Sequence, residues 1–176
     1  DICTKNRTFI IKNRILKSFS GNYLLYQGKW SYNFGLAYGE RAPSVSEGYG
    51  FYLYNSNDFY DYMGNPYLSN EKSWELNGFV HYHTDNFHSK LSASYFHIQD
   101  YIVGVIDDSV LPMTIGAMGV KRYSALDYAT ILTTDLHFDY SFSDNLKAET
   151  QLVYSYGRVS DNHNLPFISP FRYALA

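Results

Sequence analysis

The chain has 176 residues, enough for one ordinary soluble domain or for part of something larger. Its formal net charge is −3 with both signs scattered along it, so no basic stripe supports nucleic-acid binding. The single cysteine, Cys3, excludes an internal disulfide and a multi-cysteine zinc site. The longest strongly apolar run, 101–106, is far shorter than the roughly 18 residues of a membrane helix. Any form that crosses a bilayer would therefore be a closed barrel of strands.

Aromatic residues are the unusual part of the composition, because Tyr, Phe and Trp together make up 19% of the chain. Tyrosine is the commonest of the three, and its ring suits both strands and places where an apolar surface meets water. Membrane interfaces are such places, and so are the sites of sugar-binding β-sandwiches. The composition leaves both classes open.

Alternation of large apolar with small or polar residues is the main secondary-structure signal. A period of two predicts a strand over 30–39, and the same period recurs further along the chain. The predicted strands, in chain order, are 7–14, 16–27, 30–39, 74–83, 89–105, 132–142, 146–157 and one that begins near 169. No apolar stripe of period 3.6 has useful length, so we expect minimal helix. The sequence thus predicts seven or eight strands in an all-β, antiparallel up-and-down meander.

The connections between these strands alternate between short and long. The short ones, at 28–29, 84–87 and 143–145, are rich in turn-forming residues. The long ones are expected at 42–70 and 107–126, with a shorter one near 160–166. Short turns on one rim and long loops on the other are typical of transmembrane barrels, whereas two such long loops are unusual in a soluble sandwich.

The two faces of the predicted strands favour a membrane barrel. Charged residues fall on the polar faces: Glu75, Asp135, Asp139, Lys147 and Glu149. Aromatic residues fall towards strand ends on the apolar faces: Trp30, Tyr38, Tyr82, Tyr140, Tyr154 and Tyr156. This arrangement matches aromatic girdles around a wet lumen, so we expect a section of a large transmembrane β-barrel.

Three segments carry a resemblance to a known family. Residues 39–47 read GERAPSVSE, residues 64–75 read GNPYLSNEKSWE, and residues 165–172 read LPFISPFR. They resemble a strand exit, a strand return and a later strand start in the barrels of TonB-dependent outer-membrane receptors. The insert 49–58 is most similar to receptors of the Bacteroidetes type. Two positions depart from the family pattern: Asn70 replaces its usual proline, and 133–135 replaces its Gly-x-Glu.

The resemblance implies a place and a function for the chain. Residues 1–176 would be a wall segment of a plugged, 22-stranded barrel in the outer membrane of a Gram-negative cell. No signal peptide opens the sequence, which begins as though cut from a longer chain. By the resemblance, we expect the plug domain and the C-terminal strands to lie outside it. The expected partners are the lipid bilayer, a TonB complex reached through the plug, and a small-molecule or metal-chelate ligand. The implied function is active uptake of a scarce nutrient: an iron–siderophore, haem, cobalamin or another metal chelate.

One group of polar residues is expected to hold the base of the first long loop. Arg41, Glu47 and Glu71 would join the loop to the rim of the barrel through charge-assisted hydrogen bonds, although a role in ligand binding is the alternative. Pro43 and the Asn65-Pro66 pair are backbone devices, because proline ends strand pairing and Asn-Pro favours a turn.

A second group lies within the two long loops and is the candidate contact for ligand. Tyr60, Tyr62, Met63, Met113 and Met118 would form a soft, aromatic outer surface. Thioethers favour a soft metal such as Cu(I). Packing between loops is the alternative role of these side chains.

His81 and His83 are the nearest approach to a metal motif. Residues two apart on a strand share a face, so both imidazoles are able to meet one cation. Glu75 is on the same face but roughly 20 Å away, too far to complete a site. We expect these histidines to line the lumen rather than to bind a metal.

Catalysis has little support in the sequence. Asp135 and Asp139, the best pair of carboxylates, are four residues apart on one strand, roughly 13 Å, which is too wide for an acid–base pair. We therefore expect no enzyme and no cofactor.

Two rivals to the receptor interpretation are open at this point. A passive porin or a lipid-transport barrel would share the wall pattern but would have no plug. A soluble glycan-binding β-sandwich would bury one apolar face against a second sheet, with Trp30, Phe34, Leu36, Leu136 and Phe138 inside.

Overall fold

The computed structural model describes residues 13–143, 145–161, 163–166 and 168–176. The elements, in chain order, are β1 (Ser18–Gln27), β2 (Trp30–Arg41), α1 (Val45–Tyr49), β3 (Leu53–Asn55), β4 (Tyr60–Met63), β5 (Glu71–His83), β6 (Phe87–Ile106), β7 (Val120–Ser143), β8 (Leu146–Val159) and β9 (Arg172–Leu175). The strand predicted at 7–14 falls outside the described residues, apart from 13 and 14, which are not in a strand.

All the described strands belong to one sheet. Neighbouring strands in the sheet follow the order β1-β2-β5-β6-β7-β8-β9, and each adjacent pair is antiparallel. Long strands that are consecutive in the chain therefore pair with one another. The hairpin of β3 and β4 joins the same sheet through β7. The predicted all-β antiparallel meander is confirmed.

The register separates an apolar face from a polar face, because residues paired across antiparallel strands point to the same side. One apolar row crosses seven strands: Leu25, Tyr32, Val80, Leu91, Leu136, Leu152 and Tyr173. The adjacent row on the other side is polar: Ser31, His81, Lys90, His137 and Gln151. The alternation read from single strands therefore extends across the whole sheet.

The apolar face has no second layer within the part of the chain that the structure describes. Phe34 is 56% exposed and Leu36 is 43% exposed, while Leu136 and Phe138 are half-buried. The buried hydrophobic cluster is small and consists of Ala129, Val159 and Leu165 near one end of the sheet. A β-sandwich would cover these residues with a second sheet. The alternative of a soluble sandwich, which predicted that they are buried, is therefore wrong.

The second long loop is shorter than the sequence suggested. The structure starts β7 at Val120, so this loop covers only 107–119, and the predicted loop 107–126 is wrong in its second half. Alternation fails there because Lys121 and Arg122 interrupt it. Pairing with β6 nevertheless maintains the strand: Val105 lies opposite Arg122, and Ile106 opposite Lys121. The β6–β7 ladder therefore extends through a polar stretch that does not show strand alternation.

The first long loop has the predicted limits, 42–70, but it contains regular structure. It holds α1 and the β3–β4 hairpin. Among the residues described, α1 is five residues long, and no helix has the length and apolar character needed to cross a bilayer.

Candidate functional site: the outer-loop platform

The two long loops are joined at the end of the sheet, and we call this joined unit the outer-loop platform (residues 42–70 and 107–119). Strand β8 pairs with β7 only as far as Ala129, which leaves the edge of β7 between Val120 and Asp127 without pairing to β8. Strand β4 occupies that free edge in parallel pairing, with Asp61 opposite Val120 and Met63 opposite Arg122. The Asp61 amide also donates to the Gly119 carbonyl oxygen at 3.0 Å.

The platform lies over the polar face at one end of the sheet. A Cβ placed on Gly104 would overlap the ring of Tyr62, and the Tyr62 and Tyr123 rings lie 5.1 Å apart. Gly104 pairs with Tyr123, which is on the same side of β7 as Asp135 and His137. The long loop therefore crosses the polar face at one end and leaves the apolar face bare. A protein in water would be expected to do the opposite.

Arg41 joins three segments at the base of the platform. Its Nε donates to Glu71 Oε2 at 2.6 Å, and its two terminal nitrogens donate to the Glu47 carboxylate at 2.8 and 3.1 Å. Glu47 and Ser44 also form a capping box that starts α1. Burial opposes ionisation of Glu47, but hydrogen bonds from Arg41 and Ser44 outweigh it and lower the pKa of this carboxyl.

Glu71 replaces a missing strand partner. It is the first residue of β5, and beyond it β6 continues without a neighbour on that side. Its Oε1 accepts the backbone amide of Ile102 at 2.6 Å, so a buried N–H group that would lose its ladder partner is satisfied by a carboxylate. The side chain is buried and shares its other oxygen with Arg41.

Pro43, Asn65 and Pro66, which were expected to end strand pairing or form a turn, lie together at the base of the first long loop. Pro43 follows the end of β2, and it lines a small cleft with Asn65 and Pro66. The Asn65 amide donates to the Glu47 carbonyl oxygen at 2.8 Å, and its side-chain oxygen accepts the Tyr67 amide. This is an Asx turn of the kind that Asn-Pro favours.

Tyr60 and Tyr62, two of the candidate ligand residues, take part in a packed ionic cluster. Asp58 accepts hydrogen bonds from the Tyr62 hydroxyl at 2.6 Å and from Lys121 Nζ at 2.7 Å. The Lys121 ammonium also lies 4.4 Å from the centre of the Tyr60 ring. These two tyrosines therefore hold the platform on β7.

Asp61 links the two loops directly, although the sequence had not indicated it. Its side chain is fully buried, and Oδ2 accepts the backbone amides of Met113 and Thr114, each at 2.9 Å. Burial alone would raise the pKa of this carboxyl, but the hydrogen bonds from Thr114 and Met113 lower it. An aspartate within an aromatic stretch, 59–62, was the only signal in the sequence.

The three candidate methionines belong to the platform. Met63 is half-buried in β4, whereas Met113 and Met118 are 67% and 72% exposed. Backbone contacts bring their segments together: the Met118 amide donates to the Phe59 carbonyl oxygen at 2.7 Å, and the Met113 amide donates to Asp61. The exposed thioethers are thus carried by a well-anchored loop.

His81 and His83 share the polar face at the opposite, short-turn end of the sheet, and the structure adds His88 to them. The three rings are nearly parallel, with centres 5.5 to 6.3 Å apart. In this arrangement, no group of three or more His, Cys, Asp or Glu within the described chain is poised to hold a metal ion. The sequence had not revealed His88 because it lies just before the predicted strand 89–105, whereas β6 begins at Phe87.

Contact between Tyr62 and Gly104 gives a test of the docked platform. We expect Gly104→Ala to push the Tyr62 ring away and to weaken docking by about 1–3 kcal/mol, the usual cost of overpacking. Hydrogen exchange of the Asp61 amide should then accelerate roughly 5- to 150-fold. Gly39→Ala is the matched control, because a Cβ there meets nothing within 4 Å. Equal exchange rates in the two variants would contradict this packing.

The carboxylates of the platform predict its pH dependence. Burial acts to raise the pKa of Asp58, but hydrogen bonds from Lys121 and Tyr62 lower it overall, so this carboxyl stabilises docking above its unfolded pKa of about 3.9. That contribution disappears only as the pH falls further, through the lower pKa of the folded state. We therefore expect Asp61 amide exchange to show constant protection from pH 7 to pH 5, after correction for intrinsic exchange rates, and a loss below about pH 4. Asp58→Asn should reduce this loss without abolishing it, because the pKa of buried Asp61 in the same platform is also lowered. A loss of protection centred near pH 6 would contradict the prediction.

No family model matches the sequence, and no curated protein matches it. Solved structures do match the fold. The chain is similar to the structure described as copper transporter OprC, with a TM-score of 0.73, 21% identity and coverage of 91% of this chain. It is also similar to the siderophore receptor PirA from Pseudomonas aeruginosa, with a TM-score of 0.64, 18% identity and coverage of 81%.

These similarities concern the fold: the chain is an antiparallel all-β sheet like the part of each structure that it matches. The chain spans about a quarter of each similar structure, 23% of OprC and 28% of PirA. The descriptions of the two structures name a transporter and a receptor.

Proposed function

We propose that the chain is part of a TonB-dependent outer-membrane receptor that takes up a scarce nutrient, with its apolar face towards lipid and its polar face towards the lumen. The observation that carries this proposal is the asymmetry of the sheet, whose polar face is crossed by the long loop at one end while its apolar face is bare. The similarity to receptor and transporter barrels supports the same orientation. The lipid bilayer, a TonB complex and a plug domain are the proposed partners.

Aromatic clusters support the position of the bilayer. Trp30 contacts Tyr82 near one end of the apolar face, with ring centres 4.6 Å apart, and Tyr38 contacts Trp74 near the other, at 4.9 Å. Trp30 and Tyr38 lie on the same strand, about 27 Å apart at strand rise. At a tilt of roughly 40° this separation becomes about 21 Å, close to the apolar band of about 25 Å in outer-membrane barrels.

The two tryptophans therefore predict two interfaces. In the full-length receptor in bilayers, we expect Trp30 and Trp74 to be quenched most by lipids brominated near the headgroup. The contribution of each is the difference between the parent and Trp30→Phe or Trp74→Phe. Phe34→Trp, midway between the clusters on β2, should respond most to lipids brominated deep in the chain. Equal quenching of all three sites by an aqueous quencher, with none by brominated lipid, would exclude this placement.

Transport is tested by uptake through the full-length protein in cells. Radiolabelled iron–siderophore, haem, cobalamin and copper chelates serve as probes, with and without TonB. A receptor gives saturable uptake of at least one probe that stops when TonB is deleted. A passive porin, the rival barrel, gives uptake that does not saturate and continues without TonB, and this outcome would reject the proposal.

The outer-loop platform is the proposed place of first ligand contact. It lies at the long-loop end, and its exposed Met113 and Met118 are held by buried Asp61 and by Phe59. A metal-containing ligand agrees with the copper transporter and the siderophore receptor to which the fold is similar. If the platform binds ligand, Met113→Ser/Met118→Ser should raise the ligand concentration for half-maximal uptake, whereas Leu36→Ile on the lipid face should not.

A further inference from the structure

An open cleft with a cationic lining lies where the chain enters β1 and β5, at the long-loop end of the sheet. Its volume is about 470 Å³, within the usual range for a small-molecule site. Among the described residues that line it, two are cations, Arg14 and Lys72, and none is a carboxylate. From this lining we propose that the cleft binds the phosphate of an anionic lipid headgroup. The inference rests on the proposed function, because it needs the apolar face to be turned towards lipid.

The register places the cleft at the edge of the apolar face. Lys72 lies two residues from Trp74 on β5, and residues two apart on a strand share a face. Its partner on β2 is Glu40, two residues beyond Tyr38 on that same face. Phe19 completes the aromatic cluster there, with its ring centre 5.4 Å from Tyr38 and 5.6 Å from Trp74. Lys72 is thus about 7 Å beyond rings that suit a membrane interface, which is the level of lipid headgroups.

Arg14 is held in place by neutral groups, so its charge is available to a ligand. One terminal nitrogen donates to Asn70 Oδ1 at 2.6 Å, and the other donates to the Leu68 carbonyl oxygen at 2.7 Å. Within the described chain, no carboxylate forms an ion pair with this guanidinium. A guanidinium has five N–H donors, and two of them serve these acceptors. The others suit the oxygens of a phosphate, which arginine binds through paired hydrogen bonds.

Lys72, the second cation, is only weakly engaged by its neighbours. Its Nζ lies 3.5 Å from Asp100 Oδ2, and both side chains are more than a third exposed. An exposed ion pair of this kind contributes little, so the ammonium is able to turn towards a phosphate oxygen. Glu40, the register partner of Lys72, accepts a hydrogen bond from the Tyr38 hydroxyl at 2.7 Å instead. Asn13 and Ser69 add neutral hydrogen-bonding groups to the lining.

An apolar side chain in the same lining favours a lipid over a free phosphate ion. Ile15 is 83% exposed at the cleft, and contact with an acyl chain would remove its surface from water. A phospholipid offers a phosphate and an acyl chain in one molecule, so it satisfies the two cations and Ile15 together. Inorganic phosphate satisfies the cations alone.

Lipid selectivity around Trp74 tests the proposal in the full-length protein in bilayers. Phosphatidic acid brominated near the headgroup, a minor component in phosphatidylcholine, should quench Trp74 several-fold more strongly than brominated phosphatidylcholine at the same fraction. The contribution of Trp74 is the difference between the parent and Trp74→Phe. Attraction of one Lys or Arg to an anionic lipid surface corresponds to about fivefold in affinity. Arg14→Gln and Lys72→Gln should therefore each lower the selectivity by up to about fivefold, and the double variant should abolish it.

The control for the loss of a positive charge is Lys29→Gln. Lys29 is exposed in the short turn at the opposite end of the sheet, so this variant should keep the full selectivity. Circular dichroism checks that each variant retains its β structure. Equal selectivity in the parent and in the Arg14→Gln/Lys72→Gln variant, or an equal loss in Lys29→Gln, would overturn the proposal.

Two further measurements identify the ligand. Brominated diacylglycerol, which has the same tails without the phosphate, should quench Trp74 no more than brominated phosphatidylcholine. Excess inorganic phosphate should leave the selectivity for phosphatidic acid unchanged at constant ionic strength. Strong quenching by diacylglycerol would show that the tails alone are recognised, and displacement by inorganic phosphate would assign the cleft to the free ion. Either result would reject a lipid headgroup site.

Phe34→Trp separates failure of this inference from failure of the proposed function. If lipids brominated deep in the chain quench Phe34→Trp but the double variant keeps its selectivity, the apolar face meets lipid and only the headgroup site is rejected. If those lipids do not quench Phe34→Trp, the proposed orientation is wrong and the headgroup site is rejected with it.

Discussion

Replacing Arg41 with alanine is expected to release the first long loop from the end of the sheet. The guanidinium donates to both Glu47 and Glu71, and hydrogen bonds to charged groups contribute about 1.5–3 kcal/mol each. Because Arg41 is about half exposed, solvent screening reduces the sum, and we expect a net loss of about 2 kcal/mol, or roughly thirtyfold in the opening equilibrium. Hydrogen exchange at the Ile102 amide and protease cleavage within 42–70 would both report the release.

Two further variants define the cause of that effect. Arg41→Lys should fall between the parent and Arg41→Ala, because one ammonium cannot reproduce the guanidinium fork that holds two carboxylates. Lys72→Ala removes a nearby ion pair, in which Lys72 lies 3.5 Å from Asp100 and both side chains are exposed. It should change the free energy of opening, measured by hydrogen exchange, by less than about 0.5 kcal/mol. If Arg41→Ala behaves like Lys72→Ala, the loop is held by other contacts.

The second large effect concerns the apolar face. Leu136 belongs to the apolar row that crosses seven strands and lies between the two aromatic clusters. An arginine on the lipid face near the middle of an outer-membrane barrel costs about 2–4 kcal/mol. In the proposed orientation towards lipid, we expect Leu136→Arg to lower the unfolding free energy of the full-length protein in vesicles by about that amount and to reduce its yield in the membrane. Denaturant titration of the refolded protein measures the first quantity.

The neighbouring residue provides the control on the opposite face. His137 is adjacent in sequence and projects to the polar side, where its Nε2 lies 2.9 Å from a carboxylate oxygen of Asp139. His137→Arg places a hydrogen-bond donor beside that carboxylate, as the imidazole does, so its stability should remain within about 0.5 kcal/mol of the parent. If His137→Arg lowered the free energy of unfolding more than Leu136→Arg does, the assignment of the two faces would be reversed.

The strands could be predicted from the sequence because one face of the sheet is predominantly apolar. Trp30 to Tyr38 in β2 and Leu132 to Phe142 in β7 alternate without long interruption, and the register aligns these residues across strands. The limits of the first long loop were also predictable, because Pro43 and Asn65-Pro66 mark where strand pairing stops. Local chemistry was enough for both features.

The start of β7 could not be predicted in the same way. Beyond the apolar band neither side of a strand needs to be apolar, so the alternation of residues is lost while the hydrogen-bonded ladder continues. The ladder from Val103 to Ile106 maintains β7 through a stretch that reads as a loop. Pairing between strands, which is not a local property, decides the structure there.

The candidate site was predicted in part. The loop-base residues Arg41, Glu47 and Glu71 meet in the structure, although the sequence gave no sign that Glu71 would also accept the Ile102 amide. Asp61 was missed because its partners are backbone amides 52 and 53 residues further along the chain. Backbone amides occur at every non-proline residue, so a side chain that accepts from distant ones produces no recognisable sequence motif.

Asp61, which joins the two long loops, also limits how such loops can be exchanged between related proteins. Asp61 in the first loop fixes the backbone of the second, and β4 uses an edge that exists only because β7 extends past β8. A graft of residues 107–119 alone would leave a buried carboxylate without its amide donors, and a graft of 42–70 alone would leave the edge of β7 unpaired. Engineers of a new binding specificity should therefore transplant both segments, together with the upper part of the hairpin beneath them, as one unit.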